Sequence, residues 1–142
     1  MAIVARKDTY TSTKVQPELF SDFFTDFNIH PIKKDLVRHI NEDAVKRSIR
    51  NLILTNRGDR LYNQTLGSDI RNMLFEPATS VTEATVKSLI TTMIENYEPR
   101  ANLEDVSVVS DPDENSLYVT IVFSVINKQE PITLELILDR IR

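Results

Sequence analysis

The hydrophobic period of this chain changes once, at Pro99, and that change dictates its layout. Before Pro99 the apolar residues recur at helical spacing; after it they alternate as in strands. Val45, Ile49, Leu52 and Ile53 follow Asn41, a favourable N-cap with Glu42 and Asp43 in the first turn. This spacing predicts a helix over about residues 42–55. Glu42 with Lys46 and Asp43 with Arg47 are spaced for i,i+4 ion pairs on its solvated side, and Gly58 supplies a left-handed turn to close it. A short helix is expected over 69–75, with Ser68 as its cap, Ile70 and Leu74 inward and Pro77 as its stop. Ser80-Val81-Thr82-Glu83 reads as a capping box. The stripe Val86, Leu89, Ile90, Met93, Ile94 and Tyr97 follows it and ends before Pro99. Burying each such side chain contributes about 1.5–3 kcal/mol before entropy costs, so this helix is the expected spine of the core.

Beyond Pro99, Val106 and Val108 alternate with Ser107. Leu117, Val119, Ile121 and Phe123 alternate with Tyr118, Thr120, Val122 and Ser124, and Ile132, Leu134, Leu136 and Leu138 alternate with Thr133, Glu135 and Asp139. Asp111-Pro112-Asp113 and the stretch Asn127 to Glu130 read as the turns between them. Helices first and strands later give an α+β fold, with helices packed on a C-terminal antiparallel sheet, a meander of about three strands. The last strand runs almost to Arg142 and is expected to be left uncovered. At a sheet edge its unpaired backbone groups invite strand addition from a partner; in the centre they are already spent. The sequence leaves both placements open.

The expected organisation is an N-terminal arm over residues 1–20, polar and extended, followed by a single domain over 21–142. Phe20, Phe23, Phe24 and Phe27 cluster at its start and are expected in the core. With no cysteine, disulfides, thiolate nucleophiles and cysteine-zinc sites are excluded, so packing alone must hold the domain. The 17 basic against 21 acidic residues give a net charge of -4, not the basic excess of a nucleic-acid binder. Lys33, Lys34, Arg38, Lys46, Arg47 and Arg50 form a basic region, but Glu42 and Asp43 offset its helical part, and a solvated face is expected. No signal peptide or spanning segment is legible, so synthesis in the cytoplasm without a membrane partner is expected. His30 and His39 lack ligand companions, and two glycines cannot build a phosphate loop; no metal or cofactor is expected.

One ordered set of segments resembles a known family. Ala44-Val45-Lys46-Arg47-Ser48-Ile49-Arg50-Asn51-Leu52-Ile53-Leu54-Thr55 is followed by Arg57-Gly58-Asp59-Arg60, Leu66-Gly67-Ser68-Asp69-Ile70, Leu74-Phe75-Glu76 and Asn96-Tyr97-Glu98-Pro99-Arg100. This set resembles the lysozyme-like wedge family of contractile-tail baseplates, shared by phage tails and type VI secretion. Asp59 stands where the family shows glutamate, and Gln64-Thr65-Leu66-Gly67 where it shows a proline-glutamate-phenylalanine-glycine run. The resemblance spans roughly residues 22–126 and leaves the arm outside. It implies a structural protein of the virion's tail baseplate, made in the host cytoplasm. Its implied partners are the larger baseplate wedge proteins and the tail sheath protein, with tail tube or hub proteins as further neighbours. It also implies that a sheet edge starts the sheath by β-strand addition; Ile132, Leu134, Leu136 and Leu138 mark the docking strand.

Glu98-Pro99-Arg100 sits at the helix-to-strand corner. Its plain reading is a proline stop between solvated charges. Its functional reading is that Pro99 stiffens the corner and Arg100 offers a partner a bidentate fork. The resemblance makes all three the expected wedge-partner site. In Arg57-Gly58-Asp59-Arg60, Gly58 is expected to turn the chain while the charges pair locally or with a partner, rather than to mediate adhesion. The alternative function is a lysozyme-like peptidoglycan hydrolase, which needs two carboxyl groups, one kept protonated in an apolar pocket. Glu76, Glu83, Glu98, Glu104 and Asp105 are available, but each has a simpler role as a cap, turn or surface residue. The expectation is therefore a binding protein, not an enzyme.

Overall fold

The computed structural model describes residues 18–24, 27–111, 113–126 and 128–139. Most of the expected N-terminal arm, residues 1–17, lies outside the described residues. The element order is β1 (Ser21–Phe23), β2 (Arg38–Ile40), α1 (Glu42–Leu54), α2 (Ile70–Met73), α3 (Ser80–Tyr97), β3 (Ala101–Asp111), β4 (Ser116–Val125) and β5 (Lys128–Asp139). The fold is α+β, with an antiparallel three-stranded sheet in the order β3-β4-β5 and a separate two-stranded ribbon, β1-β2.

Alternation decides which face of the sheet is buried. Leu117, Val119, Ile121 and Phe123 on β4 are buried and pair with Leu138, Leu136, Leu134 and Ile132 on β5. On the other side of β4, Ile121 pairs with Val106 and Phe123 with Leu103. Val45, Ile49, Leu52 and Ile53 of α1 and Val86, Ile90, Met93 and Ile94 of α3 complete this core. The result is two layers, helices on one sheet face.

Element ends differ from the sequence expectations. Asn41 caps no amide of α1; its Oδ1 accepts from the amides of Leu19 and Phe20 at 2.8 and 3.2 Å, joining the ribbon to the domain. Thr55, not Gly58, closes α1, its amide donating to Asn51 O and Leu52 O. Gly58, at φ +92°, turns the next loop and donates to Gln64 O at 3.0 Å. Ser68 is buried and donates from Oγ to Ile53 O at 2.9 Å, so it secures the loop rather than capping α2. Gly67 is required here: a Cβ would meet Thr55 O at 2.6 Å. Thr79, one residue before the expected cap, accepts from the Thr82 amide and starts α3. The second strand turn is also tighter than expected, because Val125 already pairs with Lys128.

Only part of the phenylalanine cluster meets the core. Phe23 and Phe27 are 59% and 65% exposed. Strand parity turns Phe23 outward while its neighbour Asp22 is half-buried, and Phe27 has a left-handed backbone at φ +49°. Phe20 packs against the core and Phe24 stacks on His39 with ring centroids 3.8 Å apart.

Candidate binding sites at the corner and the sheet edge

The corner after α3 is built by backbone bonds on both sides of Pro99. The Glu98 amide closes the helix on Ile94 O at 2.9 Å, and the Ala101 amide returns to Glu98 O at 3.1 Å. The Ile126 amide donates to Arg100 O at 3.0 Å, so the β4–β5 hairpin pins the corner as well. The sequence readings place Glu98 and Arg100 as solvated charges or offer Arg100 outward to a partner. Instead the Glu98 side chain is only 3% exposed and the guanidinium turns inward.

Arg100 is held along two edges by two carboxylates. Its Nε and Nη2 donate to Glu98 Oε1 and Oε2 at 2.6 and 3.0 Å. Its Nη1 donates to Asp22 Oδ1 and Oδ2 at 3.4 and 3.2 Å, and its Nη2 to Asp22 Oδ2 at 3.2 Å. The Phe20 ring lies 5.6 Å from the guanidinium carbon, within cation–π range. Burial pushes the Glu98 carboxyl up, but hydrogen bonds from Arg100 and Ser48 and the Arg100 charge outweigh it and hold it below the usual carboxylate range. The hydrogen bonds to Glu98 in turn raise Arg100.

Asp22 and Ser48 were absent from the sequence-derived site. Asp22 stands 78 residues from Arg100, and no local spacing reports a contact across that distance.

At the other candidate site, β5 pairs with β4 on one side, and among the described residues no strand pairs with its other side. Ile132, Leu136 and Leu138 are buried and Leu134 is half-buried, so these four side chains hold the strand to the core. What the edge leaves open is backbone. Thr133, Glu135, Ile137 and Asp139 occupy the alternate positions, and Ile137 is 61% exposed. Pro131 has no amide to offer, so the uninterrupted ladder begins at Ile132. Helix α1 anchors the strand at its start, where Glu42 pairs with Lys128 rather than Lys46. At its far end α1, α2 and β5 border an open groove of about 340 Å³, lined by Ile53, Leu54, Ile70, Leu74, Phe75 and Ile137.

The remaining motifs have local uses. Asp59 Oδ2 accepts from the Asn56 amide at 3.0 Å, and Arg57 pairs with Asp69 at 3.5 Å. Glu83 Oε1 accepts from the amide and the hydroxyl of Ser110, at 2.9 and 2.5 Å, so it serves β3 and not a capping box. Asp105 pairs with Lys87 at 3.3 Å. Among the described residues no group of three or more histidine, aspartate or glutamate side chains is placed to hold a metal ion, and no helix is long and apolar enough to cross a membrane.

Comparison with known proteins agrees with this architecture. The family model described as baseplate wedge protein gp25 matches residues 40–130. The baseplate wedge protein gp25 of Enterobacteria phage T4 is 35% identical over 99 residues, covering 70% of this chain and 75% of the relative. Among solved structures, a putative tail lysozyme from Geobacter sulfurreducens superposes with a TM-score of 0.63 at 22% identity, covering 71% of this chain and 92% of the other. A chain of the anti-feeding prophage baseplate superposes with a TM-score of 0.61 at 21% identity, covering 84% of each. At those identities the two structures speak for the fold, while the family match and the phage relative speak for kinship. This chain belongs to the gp25 family of baseplate wedge proteins.

Proposed function

We propose that this structural baseplate wedge protein of a contractile tail does its work by binding at two places. Its Glu98-Pro99-Arg100 corner meets the larger wedge subunits, and the outer edge of β5 receives a strand from the tail sheath protein and so starts the sheath. The observation that carries the reading is the strand order β3-β4-β5, with the ladder of Ile132 to Leu138 unpaired on its outer side among the described residues. An incoming extended segment gains main-chain hydrogen bonds there without disturbing the core.

The test is a pair of proline variants at neighbouring positions, Glu135→Pro and Leu136→Pro. On an edge strand one of two neighbours directs its amide to the sheet and the other directs it outward. The variant that keeps its fold has lost only an outward donor. Baseplates carrying it are expected to form no sheath in an electron-microscopic polymerisation assay. Normal sheath on such baseplates would remove β5 as the docking edge.

A hydrolase reading is disfavoured at Glu98 and Glu83, two of the candidate carboxylates. A general acid must hold its proton near neutral pH, which requires a raised pKa. Glu98 and Glu83 are both shifted downward, and each is committed to a structural bond. A peptidoglycan-release assay on pure protein checks this, and turnover lost in one glutamate-to-glutamine variant would reinstate the enzyme.

A further inference from the structure

The two carboxylates on Arg100 are held very differently. The Glu98 bonds are short, its side chain is 3% exposed, and it comes from two residues away. The Asp22 bonds are 3.2–3.4 Å long, its side chain is 39% exposed, and it comes from a ribbon 78 residues distant. That ribbon pairs Ser21 with Ile40, Asp22 with His39 and Phe23 with Arg38, flanked by backbone bonds from Asn41 to Phe20 O and from Phe24 to Val37 O. A two-stranded ribbon of this size does not stand alone in water and depends on its anchors. Its anchors include Asn41 on the amides of Leu19 and Phe20, Phe20 against the core, the packing of β2 on α1, and Asp22 on Arg100.

We infer that Asp22 is a built-in competitor for the outer fork of Arg100, and that a carboxylate of the wedge partner takes its place on binding, releasing the β1-β2 ribbon from the corner. This rests on the reading that Arg100 meets the wedge. The charge count supports exchange over addition. One guanidinium already carries two carboxylates, so a third acid approaching the closed site meets net negative charge and no free fork. Only by displacing an acid does the partner gain a bidentate pair, and Asp22 is the one with longer bonds, greater exposure and a weakly supported strand behind it. The tethered Asp22 also lowers the apparent affinity by the fraction of molecules in which the fork is closed. The corner therefore rejects isolated acidic groups and accepts a partner that supplies further contacts.

The experiment uses the full chain and the purified larger wedge subunits of the same tail. Asp22→Asn is expected to tighten binding about fivefold, the change expected on removing a half-exposed ion pair that competes. In the wild-type complex, hydrogen exchange at Phe24 and Asn41, whose amides donate across the ribbon to Val37 O and Phe20 O, is expected to speed up on wedge binding. Unchanged or weaker binding by Asp22→Asn, or ribbon amides that slow in the complex, overturns the competitor and leaves the wedge reading standing. Arg100→Lys keeps the charge but loses both forks. Wild-type wedge affinity in that variant would sink the reading on which the competitor rests.

Discussion

The sheet has two edges, and they are finished differently. On β3 the register shifts between Leu103 and Asp105, which interrupts the ladder. The Ser110 amide is taken by Glu83 of α3, and Lys87 of the same helix reaches Asp105. On β5 the register shift lies near the hairpin, between Phe123 and Val125 on the facing strand, and Ile132 to Asp139 then run in unbroken register with β4. A bulge and a covering helix are the ordinary means of keeping an edge from pairing with another chain. On β3 a helix side chain takes an edge amide, whereas on β5 the run from Ile132 to Asp139 has no strand on its outer side among the described residues.

Proline substitution should break the comparison most severely. Glu135→Pro or Leu136→Pro on β5 is expected to abolish sheath initiation, whereas Ser107→Pro or Val108→Pro on β3 should leave it intact in whichever variant folds. Equal loss from both edges, seen as sheath-free tails in electron micrographs, would cancel the distinction. Leu136→Ala separates side chain from backbone. It should cost about 2–5 kcal/mol in denaturant unfolding because Leu136 is buried against Val119. Yet sheath should still form wherever the variant stays folded, since the edge amides are unchanged.

The carboxylates sharpen the comparison through pH. Glu98 has a native pKa below its ordinary 4.5. Its contribution is therefore fully present above that ordinary value and is lost as pH falls through the lowered native one. Thermal unfolding followed from pH 6 to about pH 3 should show a steeper loss for wild type than for Glu98→Gln, which is already destabilised at pH 6. The smallest effect is expected at Glu83. Hydrogen bonds from the Ser110 hydroxyl and amide hold its carboxyl below the ordinary range, so this cover of β3 is present near neutral pH and opens in acid. Glu83→Gln should speed hydrogen exchange at Ser110 with little change in stability. An unaltered Ser110 rate would mean that the covering helix, and not this bond, closes the edge.

Much of this architecture was legible in the chain. The helix expected over 42–55 is found at Glu42–Leu54, and the stripe after the Ser80 region became α3. The alternations Leu117 to Phe123 and Ile132 to Leu138 turned the expected residues inward, with Leu134 half-buried and the others buried. The cap positions slipped where a polar side chain had a competing use. Asn41 went to the ribbon, Ser68 to the loop and Glu83 to β3. Phe23 and Phe27 misled because apolar character alone does not place a side chain inside: strand parity turned Phe23 outward, and Phe27, with a left-handed backbone, is exposed too.

What the sequence determined by itself is local. The period of apolar residues, the stop at Pro99 and the turn at Asp111 act within a few residues and specify helices, strands and their inward faces. Only the tertiary structure decided that β5 lies at an edge among the described residues and that Asp22 closes on Arg100. The short turns gave the meander, but whether a further strand pairs outside β5, and an ion pair across 78 residues, depend on how the elements pack together, and no spacing along the chain encodes that.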